Sequence, residues 1–115
     1  MRVWDIPPEC LCDKHLLGEH AEIHAIWSVI TRKKRGYAAH PETLRWRKRL
    51  KALYARHEQV SEEMMRRGFR HQSPLDESLA SGEEKQREYV DTPEEQRRIL
   101  SKKGCGCRVE PEGGK

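Results

Sequence analysis

The cysteines are the first residues in this sequence that could carry chemistry, because all four lie in two Cys-x-Cys pairs. Cys10 and Cys12 form one pair near the start of the chain, and Cys105 and Cys107 form the other near its end. Thiolates suit Zn²⁺ or an iron–sulfur cluster, although this spacing is tighter than the usual Cys-x₂-Cys. A metal site at these four residues would require the two ends of the chain to meet. The alternative is four reduced thiols without a metal.

A histidine and two carboxylates form a second candidate site on the first predicted helix. His15, Glu19 and Glu22 are spaced so that they share one stripe of that helix. The stripe borders an apolar one that consists of Leu16, Ile23, Trp27 and Ile30. A carboxylate at the edge of a core can have its pKa raised by desolvation and can then transfer a proton. His20 and His24, one turn apart beside Glu19, are a further candidate set of metal ligands.

Three helices are predicted to position these residues. Cap residues and helix breakers predict helices over Asp13–Lys34, Pro41–Arg67 and Pro93–Lys103. Residues 1–8 form an arm, residues 70–91 a long loop and residues 104–115 a tail that contains Cys and Gly. No segment alternates like a β-strand. The sequence therefore predicts an all-α fold, a three-helix single domain over residues 1–103 followed by a short tail.

Two residues, His57 and Trp4, are expected to have packing roles. The second predicted helix carries a stripe of core residues at helical spacing, which consists of Trp46, Leu50, Leu53, His57, Val60 and Met64. Within that stripe His57 is interpreted as a hydrogen-bonded core histidine. Trp4 is expected to pack the arm against the helices.

Length and composition exclude several classes of protein. The chain has 115 residues, a formal net charge of +4 and 37% charged residues, which allows one modest core but no TIM barrel or full dinucleotide-binding fold. No stretch approaches the ~20 apolar residues of a membrane span. The first residues also lack the basic, apolar and small-residue regions that follow one another in a secretory signal. We therefore expect a cytoplasmic monomer without membrane contact.

The basic charge is concentrated in the middle of the chain. Residues 37–72 carry nine basic and four acidic side chains, and two basic runs occupy residues 31–35 and 45–51. Such patches attract polyanions, of which nucleic acid is the usual one. The alternative interpretation of these runs is a solvated helix face.

Three segments together resemble the pyrimidine-dimer DNA glycosylase family of the phage endonuclease V type. That family has an Arg after its first residue and then a D-x-H-L-x-x-E-x-x-E-L helix, which resembles Arg2-Val3 and residues 13–23, DKHLLGEHAEI. Residues 62–69, EEMMRRGF, resemble the end of the family's second helix, which closes in K-R-G-F. Tyr89-Val90 precedes a capped third helix, as in the family. The resemblance extends over residues 1–102 and depends on the order and spacing of these motifs.

The resemblance implies a DNA repair glycosylase with abasic-site lyase activity on damaged or abasic double-stranded DNA, without a cofactor. In that family the α-amine of the first residue attacks C1′ to form a Schiff base, a glutamate assists, and the strand breaks by β-elimination. Matching the motifs assigns the catalytic glutamate to Glu22 and the amine to Met1, since the bulky Arg2 disfavours removal of Met1. An α-amine has a reference pKa of ~7.7–8.0, so a useful fraction is unprotonated at neutral pH.

The same comparison and the basic runs identify candidate DNA-contacting residues, namely Arg2, His15, Arg32, Lys33, Arg45, Arg98 and Lys102. Two arginines near the phage enzyme's glutamate correspond to Ala21 and Ala25, and its aromatic C-terminal tail has no counterpart. Abasic-site cleavage is therefore a better-supported expectation than selectivity for pyrimidine dimers. Two alternatives are a non-catalytic helical module that binds nucleic acid or protein, and a metal-binding protein built on Cys10, Cys12, Cys105 and Cys107.

Overall fold

Helices account for the regular structure of the chain. The computed structural model describes residues 2–33, 35–36, 38–70 and 73–108. It contains helices α1 (Asp13–Thr31), α2 (Pro41–Trp46), α3 (Leu50–Arg66) and α4 (Pro93–Lys103), and short 3₁₀ turns at Pro8–Cys10 and Glu77–Leu79. Within these ranges the β-structure is limited to one isolated bridge. The all-α class is thus confirmed, and none of the helices described is long and apolar enough to cross a membrane.

The helix predicted over Pro41–Arg67 is in fact two helices, α2 and α3, separated by residues 47–49. At the break Lys48 has a φ of 65°, a left-handed conformation that an α-helix cannot accommodate. The prediction of one continuous helix over Pro41–Arg67 is therefore wrong, whereas the three long helices of the predicted fold are present as α1, α3 and α4. The core residues that it identified, such as Leu53 and Val60, are nevertheless fully buried.

The long loop after α3 stabilises this break. The carbonyl of Ser81 accepts a hydrogen bond from the N–H of Lys51 at 2.9 Å, and the N–H of Glu83 donates to the carbonyl of Lys48 at 2.8 Å. These bonds replace partners that a continuous helix would have supplied. Gly82 lies between them with a φ of 81°, and a Cβ there would lie 2.0 Å from the Lys48 carbonyl oxygen. The close approach of the loop therefore requires glycine.

Cap residues set the bounds of α4 as predicted but not the end of α1, where Lys33 has a left-handed φ of 53°. Helix α1 ends at Thr31 instead of continuing to position 34. Helix α4 has the predicted bounds, because Thr92 and Glu95 form a reciprocal capping box at its start and Gly104, with a φ of 62°, ends it.

Two side chains of α2 hold the start of the arm, which has no regular secondary structure. Glu42 accepts a hydrogen bond from the N–H of Val3 at 3.0 Å, and Arg45 donates to the Val3 carbonyl at 2.8 Å. Arg45 also pairs with the carboxylates of Glu42 and Asp5, at 2.7 and 2.8 Å. Its residue exposure is 5%, so it is not available to a DNA backbone. The predicted DNA contact of Arg45 is thereby corrected to an interior structural role.

Helices α3 and α4 hold the rest of the arm. Gln96 accepts a hydrogen bond from the N–H of Asp5 at 2.7 Å, and Arg56 donates to the carbonyl of Ile6 at 2.8 Å. Arg56 also donates two hydrogen bonds to the carboxylate of Glu19 on α1, one of them at 3.0 Å. Burial raises the pKa of Glu19, and the paired guanidinium opposes that rise. The arm is therefore tied to three helices by side chains that have little access to water.

Apolar residues of the arm complete the core between α1 and α3. Val3, Trp4 and Ile6 are 0, 5 and 1% exposed and belong to the same cluster as Leu16 of α1 and Leu53 of α3. Trp4 therefore packs the arm down, as the sequence analysis expected.

Replacing Arg56 by Met is expected to destabilise the fold by about 3–5 kcal/mol, because it leaves a buried carboxylate without its cation. Chemical denaturation at neutral pH measures this loss. Since burial already raises the pKa of Glu19, protonation should relieve the variant, and its deficit should shrink as the pH falls.

The double variant Glu19→Leu/Arg56→Met is the control for this measurement. It should regain much of the lost stability, because a buried ion pair can be replaced by apolar residues of similar volume. A single Arg56→Met variant as stable as the parent would show that the ion pair does not contribute to the fold in this way.

Candidate active site

A cleft of about 360 Å³ lies where the arm, α1 and α4 meet. It brings together Arg2, His15 and Glu22, three of the residues that the sequence analysis predicted. The residues that line it come from all three elements: Arg2, Trp4, Lys14, His15, Gly18, Glu19, Glu22, Ile99 and Lys103. Met1, the predicted nucleophile, lies outside the described residues.

The carboxylate of Glu22 occupies an accessible part of the cleft wall. Glu22 is half-buried and lies one turn after Gly18 on the same face of α1. The space that a side chain at Gly18 would fill is open, with no atom within 4 Å of the position of its Cβ. A ligand can therefore approach the backbone of α1 closely beside Glu22.

Arg2 is held at the mouth of the cleft by two interactions. Its Nη1 lies 2.8 Å from a carboxylate oxygen of Asp91, and its guanidinium lies 4.9 Å from the centre of the Trp4 ring. The Arg2 side chain still exposes 32% of its surface. It can therefore face a phosphate, although Asp91 already offsets part of its charge.

Two lysines that the sequence analysis did not single out add positive charge to the cleft. Lys14 lies two turns before Glu22 on α1. Lys14, Gly18 and Glu22 follow one another at intervals of four residues, so the sequence already indicated that they share a helix face. Lys103 had no such signal, because only the packing of α4 brings it to α1. Burial lowers the pKa of His15, and the charges of Lys103 and Lys14 lower it further.

The remaining predicted DNA-contacting residues lie on exposed surfaces away from the cleft wall. Arg98 and Lys102 are exposed on α4, and Arg98 lies 3.6 Å from a carboxylate oxygen of Glu94. Arg32 and Lys33 are exposed at the end of α1. A long DNA backbone could reach both groups, and their contacts with DNA stay predictions.

The start of α1 and the segment that follows α4 meet beside this cleft. Ligand atoms of Cys12, His15, Cys105 and Cys107 all lie within 4.8 Å of one another. Three of the four cysteines considered from sequence are thus brought together, and His15 joins them in place of Cys10. The cysteines are free thiols in this structure.

Three histidines form a second group between α1 and α3. Nitrogen atoms of His20, His24 and His57 lie within 4.8 Å of one another. The carboxylate of Glu19, proposed from sequence as their neighbour in a metal site, is instead paired with Arg56. His57 is fully buried, and its Nδ1 lies 2.8 Å from the Glu58 carboxylate. Its interpretation as a hydrogen-bonded core histidine is confirmed.

A larger cleft of about 530 Å³ lies between the arm and α3. Its acidic wall includes Glu62 and Glu63, and Glu63 is already paired with Arg66 and Arg67. His15, Glu19 and Glu22 of α1 are not among the residues that line this larger cleft. The smaller cleft is therefore the better candidate for catalysis.

Comparison with known proteins agrees with the motifs around the smaller cleft. The family model described as pyrimidine dimer DNA glycosylase matches residues 1–77, which include the arm and α1 to α3. Helix α4 and the Cys105–Cys107 pair lie beyond the match. No curated protein and no solved structure gives a significant match. Because the match covers more than half of the 115 residues, this chain belongs to the pyrimidine dimer DNA glycosylase family and has the DNA repair role of that family.

Proposed function

We propose that this enzyme cleaves double-stranded DNA at damaged or abasic nucleotides, with the α-amine of Met1 as nucleophile and Glu22 as the assisting group. The observation that supports this most strongly is that Arg2 and Glu22 line the same cleft. Met1 is bonded to Arg2, and consecutive Cα atoms are about 3.8 Å apart. The residue bonded to the proposed nucleophile therefore lines the same cleft as the carboxylate. The family match also begins at Met1.

The proposed reaction needs one amine and one carboxylate. The unprotonated amine attacks C1′ and displaces the damaged base; the C1′–O4′ bond then breaks, O4′ takes up a proton, and an iminium forms at C1′. At an abasic site the amine instead condenses with the open-chain aldehyde and releases water. The resulting iminium makes a proton on C2′ acidic. Loss of that proton expels the 3′ phosphate by β-elimination, which breaks the strand. Glu22 stabilises the positive charge at C1′ and moves protons.

The size and charge of the cleft are compatible with this substrate. Its volume of about 360 Å³ falls within the roughly 300–1,000 Å³ of most small-molecule sites, which suits an extruded nucleotide. Lys14 and Lys103 supply positive charge beside Glu22. Phosphates further along the strand would contact Arg98 and Lys102 on α4, with Arg32 and Lys33 at the end of α1. Such contacts make binding strongly dependent on salt.

Borohydride trapping tests the nucleophile. An oligonucleotide with one abasic site, incubated with the enzyme in EDTA and then reduced, should give a covalent adduct whose peptide contains Met1. A short Gly-Ser extension before Met1 should abolish the adduct, because it converts the amine into an amide.

The same extension at the other end of the chain is the control and should leave trapping intact. Gel-shift binding to the abasic oligonucleotide should survive both extensions. An adduct on Lys14 or Lys103, the lysines of the cleft, would contradict the role of Met1. Retained binding without any cleavage would favour the non-catalytic nucleic-acid-binding module.

Glu22→Gln tests the carboxylate. We expect strand cleavage to fall by roughly 10²- to 10⁴-fold, the usual contribution of a positioned acid–base group, with little change in stability because Glu22 is half-buried. Single-turnover kinetics on the abasic oligonucleotide measures this. Glu62→Gln makes the same chemical change in the larger cleft and should cleave normally. Equal rates in both variants would remove Glu22 from the mechanism.

Lys14→Ala tests the charge of the cleft. The variant should bind abasic DNA more weakly, and the slope of log K against log salt should become shallower by about one unit for each lost phosphate contact. Fluorescence anisotropy at several salt concentrations measures both effects. Lys85→Ala removes the same charge from the exposed loop and serves as the reference. A slope equal to that of Lys85→Ala would indicate that Lys14 does not contact phosphate.

A further inference from the structure

We propose that Cys12, His15, Cys105 and Cys107 bind one zinc ion, which fastens the end of α4 to the start of α1. All four ligand atoms lie within 4.8 Å of one another. That distance is close to twice a zinc–sulfur bond of about 2.3 Å, so one ion can contact all four. Three sulfurs and one imidazole nitrogen are a ligand set typical of structural zinc.

Individual distances fit a tetrahedral site. The Nδ1 of His15 lies 3.1 Å from the Sγ of Cys12 and 3.5 Å from the Sγ of Cys107, and the Sγ atoms of Cys105 and Cys107 are 3.3 Å apart. In a tetrahedral site with ordinary zinc bond lengths these separations would be about 3.6–3.8 Å. These three separations would therefore change by only a few tenths of an ångström if the ion were bound.

The compactness of the group favours a single ion over an iron–sulfur cluster. In a cluster the four protein ligands are distributed over two or four iron atoms, which bridging sulfides hold apart. Here every donor lies within the reach of one metal ion. Of the two metal alternatives from the sequence, the geometry therefore favours zinc, with His15 in place of Cys10.

The backbone around the group is arranged for this convergence. Gly106 separates the two later cysteines and has a φ of 95°, a conformation that favours glycine. The N–H of Arg108 donates to the carbonyl of Cys10 at 2.7 Å, so the segment after α4 is paired with the segment before α1 next to the sulfurs. These features hold both Cys-x-Cys segments in place without any metal.

Neighbouring groups suit a site with three thiolates. The backbone N–H of Cys12 lies 3.1 Å from the Sγ of Cys107 and donates to it, an interaction that stabilises sulfur-bound negative charge. The Trp4 ring packs edge-on against His15, with ring centres 5.8 Å apart, and so limits its rotation. Lys14 and Lys103 act electrostatically on His15, and their positive charges would offset the single negative charge of Zn²⁺ with three thiolates.

The zinc site is separate from the proposed reaction and from the family match. Cys105 and Cys107 lie beyond residue 77, where the match ends, so half of the ligand set belongs to the part of this chain that the family model does not cover. The amine chemistry requires no metal. His15 and Lys103 both line the cleft, however, so the ion would make one wall of the cleft rigid.

Metal analysis of the full-length chain, purified without a histidine tag or chelator, tests the proposal. Elemental analysis should find about one zinc per chain, and the double variant Cys105→Ser/Cys107→Ser should lose at least about nine-tenths of it. Both cysteines follow the last helix, so this variant should keep its helical circular dichroism. Replacement of zinc by Co²⁺ should give the intense visible bands of tetrahedral sulfur coordination in the parent chain and not in the variant.

Two further variants locate the ion. Cys10→Ser removes a thiol of the same Cys-x-Cys pair that lies outside the group, and it should retain zinc fully. His24→Asn, in the three-histidine group, should also retain it. If His24→Asn loses its zinc and the cysteine double variant keeps it, the proposal is overturned. A folded parent chain without zinc or cobalt binding, with bound iron, or with a Cys105–Cys107 disulfide in its mass spectrum would also overturn it.

Discussion

The structure depends on hydrogen bonds that buried side chains make to the backbone of an arm without secondary structure. A buried segment of this kind has N–H and carbonyl groups that must find partners, since each unpaired group costs about 1–3 kcal/mol. Val3 finds both of its partners on α2, in Glu42 and Arg45. Ile6 finds one in Arg56 of α3. Without these side chains, burial of Val3, Trp4 and Ile6 would leave the arm's backbone groups unpaired, and the arm would be held less firmly as a wall of the cleft.

The use of arginine for this purpose explains why so many charges lie inside a small protein. Each guanidinium has five donors in a fixed fork, enough to reach a backbone carbonyl and a carboxylate at the same time. A buried cation needs an anion close by, and Glu19 and Glu42 supply it. Asp5 of the arm itself supplies another. The arm is thus held by two buried ion-pair groups, Arg45 with Glu42 and Asp5 and Arg56 with Glu19. Loss of one member of either group leaves a buried charge unpaired.

Helix caps and apolar stripes were readable from the sequence because they depend on neighbours along the chain. The bounds of α4 followed from Pro93 and Gly104. The break at Lys48 could not be read in this way, because its partners come from a loop more than thirty residues later. Arg45 was misassigned for a similar reason, since it belongs to a basic run whose next members, Arg47 and Lys48, are exposed. Composition cannot show which cation of a run turns inward. The cleft was recognised through its α1 motif, but Lys103 required the packing of α4.

Helix α4 supplies a wall of the cleft although it has little apolar surface to bury. An isolated helix of 11 residues is marginal in water, and its buried residues are Gln96 and Leu100. Gln96 holds the first half of the helix through the arm. The thiols of Cys105 and Cys107, which follow α4, lie beside His15 and hold the end of the helix. Since the Nδ1 of His15 faces those sulfurs, a DNA contact by this residue would fall to Nε2. The position of Lys103, which lines the same cleft as Glu22, is therefore set by these polar and sulfur contacts together with the burial of Leu100.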